Sequence, residues 1–228
     1  SYREPSTSLC APSSKRTADA IAQNINFLKT SHEPYVVITS GDCVYKMDYN
    51  KVLSYHVDKR ADITVVVKEM PEDFNVERYG IIHMDEDDRI KDFVEKPVVA
   101  QYSTISCGIY VIRRRLLIEL LERSIEENRY DFVQDILIRY RGLKRIYGYR
   151  MEDYWSNIAS VEDYYRTNMD FLKAPIRDFF FKQYPEVHSR AADLPPAKYN
   201  VGVNIKNSLL SSGCIVNGTV ENSILFQQ

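Results

Sequence analysis

Residues 35–42 have the sequence Tyr-Val-Val-Ile-Thr-Ser-Gly-Asp, and this stretch decides the fold. The apolar, largely β-branched run at 35–38 predicts a buried strand, and the polar residues 40–42 predict the turn that ends it. In an open α/β sheet, ligands bind beyond the carboxyl ends of the strands. Asp42 stands at such an end, where a carboxylate suits Mg²⁺. From spacing alone, an ordinary turn at Gly41-Asp42 is the simpler interpretation.

The segments on either side of this stretch predict helices and a second strand. Thr17 is the expected N-cap of a helix whose apolar residues recur through Leu28. The β-branched run at 63–67 predicts another buried strand. A strand, a helix and a second strand at this spacing favour a βαβ unit with a parallel sheet. The intervening helix begins near Asp48, and it is expected to bury Val52, Leu53, His56 and Val57.

The middle of the chain predicts a hairpin, two further strands and three helices. Residues 80–84 and 89–94 flank the acidic turn 85–88, which is typical of a hairpin. Strands are expected at 106–112 and 146–149. A helix is predicted to carry Leu116, Leu117, Leu120 and Leu121, Asp131 to cap a short helix, and Ser160 to open a last long helix through a capping box.

The composition changes after Pro195-Pro196. Asn207-Ser208-Leu209-Leu210 recurs as Asn222-Ser223-Ile224-Leu225. Small, polar and aliphatic residues near a six-residue period predict the first one or two turns of a left-handed parallel β-helix. We therefore predict two domains: a partial α/β domain over 1–194, and a linker with the start of a β-helix over 195–228.

Bulk composition excludes several classes of partner. The 228 residues carry a formal net charge of −2, which gives no general attraction to nucleic acid or to an anionic membrane. No stretch approaches the length of a membrane span. The four cysteines lie far apart in sequence, so neither a disulfide framework nor a metal motif is expected, and a cytoplasmic setting fits best.

Two further segments carry groups that suit a sugar phosphate. Glu95-Lys96-Pro97 places a cation beside a rigid proline, so that Lys96 offers a fixed charge to a phosphate and Glu95 accepts hydrogen bonds from hydroxyls. Ser106-Cys107-Gly108 offers a hydroxyl beside a residue with no side chain. Taken singly, an exposed charged turn and ordinary strand packing explain these segments equally well.

Five motifs occur in a fixed order from about residue 16 to the end of the chain. Each is moderately specific, whereas the ordered set is strong. They are Thr17-Ala18-Asp19-Ala20, residues 40–49 (Ser-Gly-Asp-Cys-Val-Tyr-Lys-Met-Asp-Tyr), Phe93-Val94-Glu95-Lys96-Pro97, Ser106-Cys107-Gly108-Ile109-Tyr110-Val111 and Leu194-Pro195-Pro196-Ala197-Lys198. In this order they resemble the ADP-glucose pyrophosphorylases, the glucose-1-phosphate adenylyltransferases of bacterial glycogen synthesis.

The resemblance implies a fold, a reaction and a set of site residues. The fold is α/β, with a Rossmann-like (glycosyltransferase-A-like) mixed sheet followed by the start of a left-handed parallel β-helix. The reaction joins ATP and glucose 1-phosphate with the help of Mg²⁺, giving ADP-glucose and pyrophosphate. Asp42 would hold the metal, Lys96 the sugar phosphate, and Glu95 and Ser106 the glucose. The residues that would shape the pocket are Gly80, Tyr110 and Trp155.

The sequence also departs from the family pattern. Asn157 stands where the family has a metal-binding Asp, Cys43 replaces a His, and Arg16 replaces a Gly beside the nucleotide. The family's glycine-rich nucleotide loop belongs upstream of these motifs. An amide is a neutral and weaker Mg²⁺ ligand than a carboxylate, so Asn157 marks a degenerate catalytic position.

Three functions follow as hypotheses. The first is a regulatory subunit that binds glucose 1-phosphate, binds ATP poorly, and assembles with a catalytic adenylyltransferase subunit or with itself. The second is an active transferase, favoured by Asp42, Glu95 and Lys96. The third is an acyltransferase whose site lies on a β-helix, which the short coil and the transferase motifs disfavour.

Overall fold

A computed structural model describes residues 17–71, 74–99, 101–188 and 193–226. These residues divide into two compact units. Unit 1 consists of its described residues up to Thr39 together with Tyr49–Glu152. Unit 2 consists of Ser40–Asp48 together with the described residues from Asp153 onward. The predicted boundary between 194 and 195 stays a prediction.

Eight strands precede the repeat region within the described residues. In chain order they are β1 (Tyr35–Thr39), β2 (Cys43–Tyr45), β3 (Ile63–Glu69), β4 (Gly80–Met84), β5 (Ile90–Glu95), β6 (Thr104–Arg113), β7 (Ile146–Arg150) and β8 (Trp155–Asn157). Six of them form the sheet of unit 1 in the order β5-β4-β6-β3-β7, with β1 also on β6. The β3–β7 pair is parallel, and the other pairs of this sheet are antiparallel, so the sheet is mixed as expected.

The prediction of a parallel βαβ unit from the first two strands is wrong in its pairing. β1 and β3 do not pair with each other; both pair antiparallel with β6. The reason is the length of β6, whose ten residues present two edges. β3 pairs with one edge of β6, while β1 and β4 pair with the other edge, near Ile112 and Ile105 respectively.

The core of unit 1 forms where helices cover this sheet. The strands contribute fully buried aliphatic residues such as Ile63, Val65 and Ile112, and helix α4 (Arg114–Glu126) contributes Leu117, Leu120 and Leu121. The periodic leucines were predicted to be helical, and their burial removes a continuous apolar face from water.

Helix bounds depart from the sequence expectations in informative ways. The first predicted helix is two, α1 (Thr17–Ala22) and α2 (Ile25–Thr30). Helix α3 spans Tyr49–Asp58 and buries Val52 and His56, but Val57 is 48% exposed, so its predicted burial is wrong.

The remaining helices are divided between the two units: those before Glu152 belong to unit 1, and those after it belong to unit 2. Helix α4 spans Arg114–Glu126, and a π-helix spans Val133–Ile138. The predicted last long helix is two helices, α5 (Val161–Asp170) and α6 (Ala174–Lys182). The predicted cap is confirmed, because the Asp163 N–H donates to the Ser160 hydroxyl at 3.1 Å. None of these described helices has the length and apolarity that a membrane span requires.

The repeat region forms three pairs of parallel strands. The strands are β9 (Lys198–Tyr199), β10 (Asn204–Lys206), β11 (Leu209–Leu210), β12 (Ile215–Val216), β13 (Thr219–Glu221) and β14 (Ile224–Leu225). They pair as β9–β12, β10–β13 and β11–β14. At one corner the Asn207 side chain donates to that of Asn222, 15 residues later, at 2.8 Å. The quoted repeat therefore stacks in register; its continuation as a left-handed β-helix stays a prediction.

Candidate active site

Three neighbouring strands of the unit 1 sheet bring the predicted sugar-binding residues together. Gly80 pairs with Glu95, and its neighbour Ile81 pairs with Ile105, the residue before Ser106. We call the group the sheet cluster; its members are Gly80, Glu95, Lys96, Ser106 and Tyr110. Strand pairing therefore collects residues from two separate motifs, together with Gly80, at one place.

Gly80 has no side chain, and the space that a side chain would fill is occupied by Phe93 and Glu95. A Cβ at this position would lie 2.7 Å from the Phe93 ring and 2.9 Å from the Glu95 carboxylate oxygen Oε2. Both distances are shorter than van der Waals contact, so a side chain here would push the carboxylate from its position. Burial raises the pKa of Glu95 above its ordinary value, an effect that Lys96 opposes and Asp131 reinforces.

Lys96 presents an exposed cation at the end of β5. Its backbone has φ 47°, in the left-handed region that few non-glycine residues adopt. Its backbone N–H donates to the Tyr79 carbonyl at 3.1 Å, which continues the hairpin ladder beyond Glu95. The lysine is therefore anchored through its main chain while its ammonium remains accessible to an anion.

A bulge in β6 lies between the two residues that carry the hydroxyl groups of the cluster, Ser106 and Tyr110. Tyr110 pairs with Val65 and Ser106 pairs with Val67, so three residues of β6 face one residue of β3. Gly108 lies in this bulge with φ 72°, a conformation that glycine adopts without strain. The Ser106 and Tyr110 hydroxyl oxygens lie 3.4 Å apart.

The structure adds two residues that the sequence did not single out for this site. Phe132 is fully buried and packs on Tyr110 with ring centroids 5.1 Å apart. Asp131 was predicted only as a cap, and its carboxylate does accept the Gln134 N–H at 2.9 Å. Because Asp131 also raises the pKa of Glu95, it belongs to the same electrostatic environment. The sequence signal for these residues was the Asp131-Phe132 pair. In the structure the pair lies just before the π-helix, and π-helical distortions are often found at functional sites.

A short two-stranded ribbon in unit 2 carries the other predicted residues. β2 and β8 pair antiparallel, with Cys43 opposite Asn157, Val44 opposite Ser156 and Tyr45 opposite Trp155. We call this pair of strands the ribbon. Asp42 immediately precedes it, and the Asp42 carbonyl accepts the Ile158 N–H at 2.7 Å.

Asp42 and Asn157 meet at one end of the ribbon. The Asn157 amide donates to the Asp42 carbonyl at 3.2 Å and lies 3.6 Å from the Cys43 sulfur. Partial burial tends to raise the pKa of Asp42, but hydrogen bonds from Ser40 and Asn157 outweigh it and lower the pKa below its ordinary value. Burial raises the pKa of the Cys43 thiol to about 11. The ribbon therefore presents one ionised carboxylate among neutral neighbours.

Comparison with known proteins places this sequence in a family. Residues 5–174 match the Nucleotidyl transferase family. The chain belongs to this family.

Curated proteins named glucose-1-phosphate adenylyltransferase are similar to this nucleotidyl transferase chain. Those from Geobacillus stearothermophilus and Thermosipho melanesiensis are 35% and 38% identical over 92% and 93% of this chain, and the chain covers 55% and 52% of their lengths. A third, from Clostridium acetobutylicum, is 37% identical over 93% of this chain, which covers 56% of it. The chain thus spans about half the length of these relatives.

Magnesium is the cofactor that the resemblance implies, and the ribbon offers it few ligands. Mg²⁺ is held in proteins by carboxylates together with substrate phosphates. Here Asp42 supplies a carboxylate, whereas Asn157 supplies an amide whose N–H groups point to the Asp42 carbonyl. Within the described ranges, no group of three or more His, Cys, Asp or Glu side chains is arranged to hold a metal. These residues do not fit a two-carboxylate Mg²⁺ site. Arg16 lies outside the described residues.

Proposed function

We propose that this chain is part of a subunit of glucose-1-phosphate adenylyltransferase that binds glucose 1-phosphate and has weak or no transferase activity of its own. The complete enzyme would convert ATP and glucose 1-phosphate to ADP-glucose and pyrophosphate for glycogen synthesis in the cytoplasm. This subunit would regulate a catalytic partner in a hetero-oligomer. The names of the similar proteins and the residues of the sheet cluster support this proposal.

The observation that carries the proposal is the pairing of Cys43 with Asn157 at the end of the ribbon. It leaves Asp42 beside an amide instead of a second carboxylate. A preorganised charge lost from a site of phosphoryl transfer typically costs roughly 10²–10³ in rate. Weak turnover follows, although the strands of the ribbon themselves are formed.

The sheet cluster supports retained sugar-phosphate binding. The Lys96 ammonium would bind the phosphate, since a charge-assisted hydrogen bond is stronger than a neutral one. Glu95 would accept hydrogen bonds from glucose hydroxyls, and Ser106 and Tyr110 would supply further hydroxyl contacts. Trp155 would shape the pocket by resemblance. We expect calorimetry to detect glucose 1-phosphate binding that is tighter than ATP binding; tighter ATP binding would contradict the proposal.

A pyrophosphate-release assay on the full-length protein tests the proposed loss of activity. We expect little unaided turnover, and a gain of roughly 10²–10³ when Asn157→Asp and Arg16→Gly are introduced together. Asn168→Asp is the matched control, because Asn168 is an amide of unit 2 whose side chain donates only to the Tyr164 carbonyl among the bonds seen here. This control should leave turnover unchanged.

An active transferase is the second candidate, and the presence of Asp42, Glu95 and Lys96 favours it. The same assay separates the two. Robust turnover by the unmutated protein without a partner would reject the regulatory proposal and support the active one.

A further inference from the structure

Lys46 is a buried lysine for which the proposed chemistry has no use. It follows β2 directly, and only 5% of its surface is exposed. Lysine is rarely buried to this extent without partners, because the ammonium must replace its water with other acceptors. Its partners therefore indicate what the buried charge does.

The partners of Lys46 belong to the C-terminal end of α6. Its ammonium donates to the Phe179 carbonyl, to the Gln183 carbonyl at 2.7 Å and to the Phe180 carbonyl at 3.5 Å. It also lies 4.6 Å from the centre of the Phe179 ring. The last carbonyls of a helix have no partners within the helix and carry its negative dipole end, so a buried cation is stabilised there.

The second strand of the ribbon contacts the same helix. The Tyr154 ring, one residue before β8, packs edge-on against Phe180 with centroids 5.7 Å apart. Lys46 and Tyr154 are thus the residues that flank the paired residues Tyr45 and Trp155. Both strands of the ribbon meet α6 at one place.

The ribbon needs such a support. It has three residue pairs, and an isolated two-stranded ribbon is at best marginally stable in water. Hydrogen bonds to a charged group are among the stronger contributions to stability in proteins. Three of them, made by one residue, join β2 to a helix that is distant in sequence.

We propose that Lys46 is a positioning residue that ties the ribbon to the C-terminal end of α6, so that the positions of Asp42, Trp155 and Asn157 follow that helix end. The chain continues from this end through Gln183 toward the repeat region. A displacement of the segment after α6 would therefore be transmitted to the ribbon through the ammonium of Lys46. This gives the proposed regulatory subunit a physical route to its site, and in that respect the inference rests on the proposed function.

The test uses two reporters on the ribbon. Trp155 is the single tryptophan of the chain, and its environment on β8 determines the emission maximum. Cys43 lies on β2, and its alkylation by a maleimide can be followed by peptide mass spectrometry. Cys107 is fully buried in the unit 1 sheet, and its alkylation reports general unfolding.

Lys46→Met keeps most of the aliphatic stem and removes the charge. We expect alkylation of Cys43 to accelerate about tenfold, Trp155 emission to shift to longer wavelength, and Cys107 to stay protected. Phe179→Leu removes the ring contact but leaves the carbonyls, and it should give smaller changes in the same direction if Lys46→Met does not fold. Lys182→Met is the control, since Lys182 is 73% exposed near the same helix end and pairs with Asp178; it should change neither reporter.

The outcomes separate the two proposals. Unchanged Cys43 and Trp155 in both Lys46→Met and Phe179→Leu would overturn the positioning role, as would equal acceleration at Cys43 and Cys107. Both reporters are read without ligand, so they do not depend on the proposed function. Absence of glucose 1-phosphate binding by the unmutated protein would instead reject the proposed function and leave the role of Lys46 standing.

Discussion

The sheet cluster and the ribbon differ in how their residues are held. Gly80 and Ser106 lie on strands within a six-stranded sheet, where strand pairing and a buried core fix the backbone. Asp42 and Asn157 depend on a ribbon of three residue pairs. The cluster keeps the residues that the resemblance requires, whereas the ribbon carries Asn157 and Cys43 in place of them.

The comparison teaches that the residues proposed for binding and those proposed for chemistry rest on separate structural supports in this chain. The backbone positions of residues on the sheet are fixed by long-range strand pairing, on which the whole unit 1 core depends. The ribbon belongs to unit 2, and none of its residues is among the described members of that core, so its side chains can change while the unit 1 fold is retained. The following four predictions test the contrast, beginning with the largest expected effect.

Acidification should destabilise unit 1 well before it affects the ribbon. The pKa of His56 is lowered from 6.5 to about 4, mainly by burial and also by nearby Arg113, while Asp62 opposes the shift. Between these values the unfolded chain binds a proton that the folded chain excludes, so the free energy of unfolding should fall by up to about 3 kcal/mol as the pH drops from 6.5 to 4. Despite partial burial, hydrogen bonds from Ser40 and Asn157 hold the pKa of Asp42 below its ordinary value, so protonation of this carboxylate should not contribute to that loss.

Denaturant unfolding at several pH values measures this effect. His56→Gln should reduce the dependence of the free energy of unfolding on pH between 6.5 and 4. Replacement of the exposed His188 by Gln should leave that dependence unchanged. An equally steep loss in His56→Gln would assign the acid sensitivity to other groups.

Lys96→Met should weaken glucose 1-phosphate binding about thirtyfold, because it removes a hydrogen bond from a charged group. Lys91→Met is the control on the same strand, where Lys91 is half-exposed and pairs with Asp85 at 2.9 Å. Calorimetry with glucose 1-phosphate should find the control unchanged. Equal losses in both variants would mean that general charge, and not the position of Lys96, governs binding.

Gly80→Ala should cost about 1.5 kcal/mol of stability, since its Cβ overlaps the Phe93 ring and the Glu95 carboxylate. Gly41→Ala, beside the ribbon, meets nothing within 4 Å and should change stability by less than about 0.5 kcal/mol. Thermal unfolding of the two variants compares the two regions directly. A larger loss in Gly41→Ala would reverse the contrast.

Thr167→Val should give the smallest effect, about 1 kcal/mol. It removes the contact between the Thr167 and Ser156 hydroxyls, 2.7 Å apart, that joins α5 to β8. Unfolding followed through the fluorescence of the single Trp155 reports it, with the exposed Thr219→Val as the control. No difference between the two would show that this hydroxyl pair does not hold the ribbon.

The sheet was largely accessible to prediction because its signals are local. The hairpin over 80–95 has apolar residues on both sides of an acidic turn, and β3 is a largely β-branched run whose first five residues are buried as expected. The pairing of β1 with β6 was not accessible, because nothing in either segment specifies a partner. Val57 fits the helical apolar period and is nevertheless exposed, since burial depends on what covers a helix.

The site was predicted residue by residue but not as an arrangement. The resemblance nominated Glu95, Lys96 and Ser106, and their assembly required the register of three strands. The strand Cys43–Tyr45 was missed because three residues show no alternation. It forms only through pairing with Trp155–Asn157, and the roles of all these side chains stay predictions.

The ribbon has a consequence for how this chain folds during its own synthesis. Asp42 leaves the ribosome 115 residues before Asn157, its hydrogen-bonding neighbour. Synthesis at roughly 5–20 residues per second imposes a wait of about 6 to 23 seconds, during which β2 has no strand to pair with. Helix α6, with the carbonyls that accept the Lys46 ammonium, emerges later still. A nascent chain halted before residue 155 has therefore made every strand of the unit 1 sheet, yet it cannot have formed the ribbon.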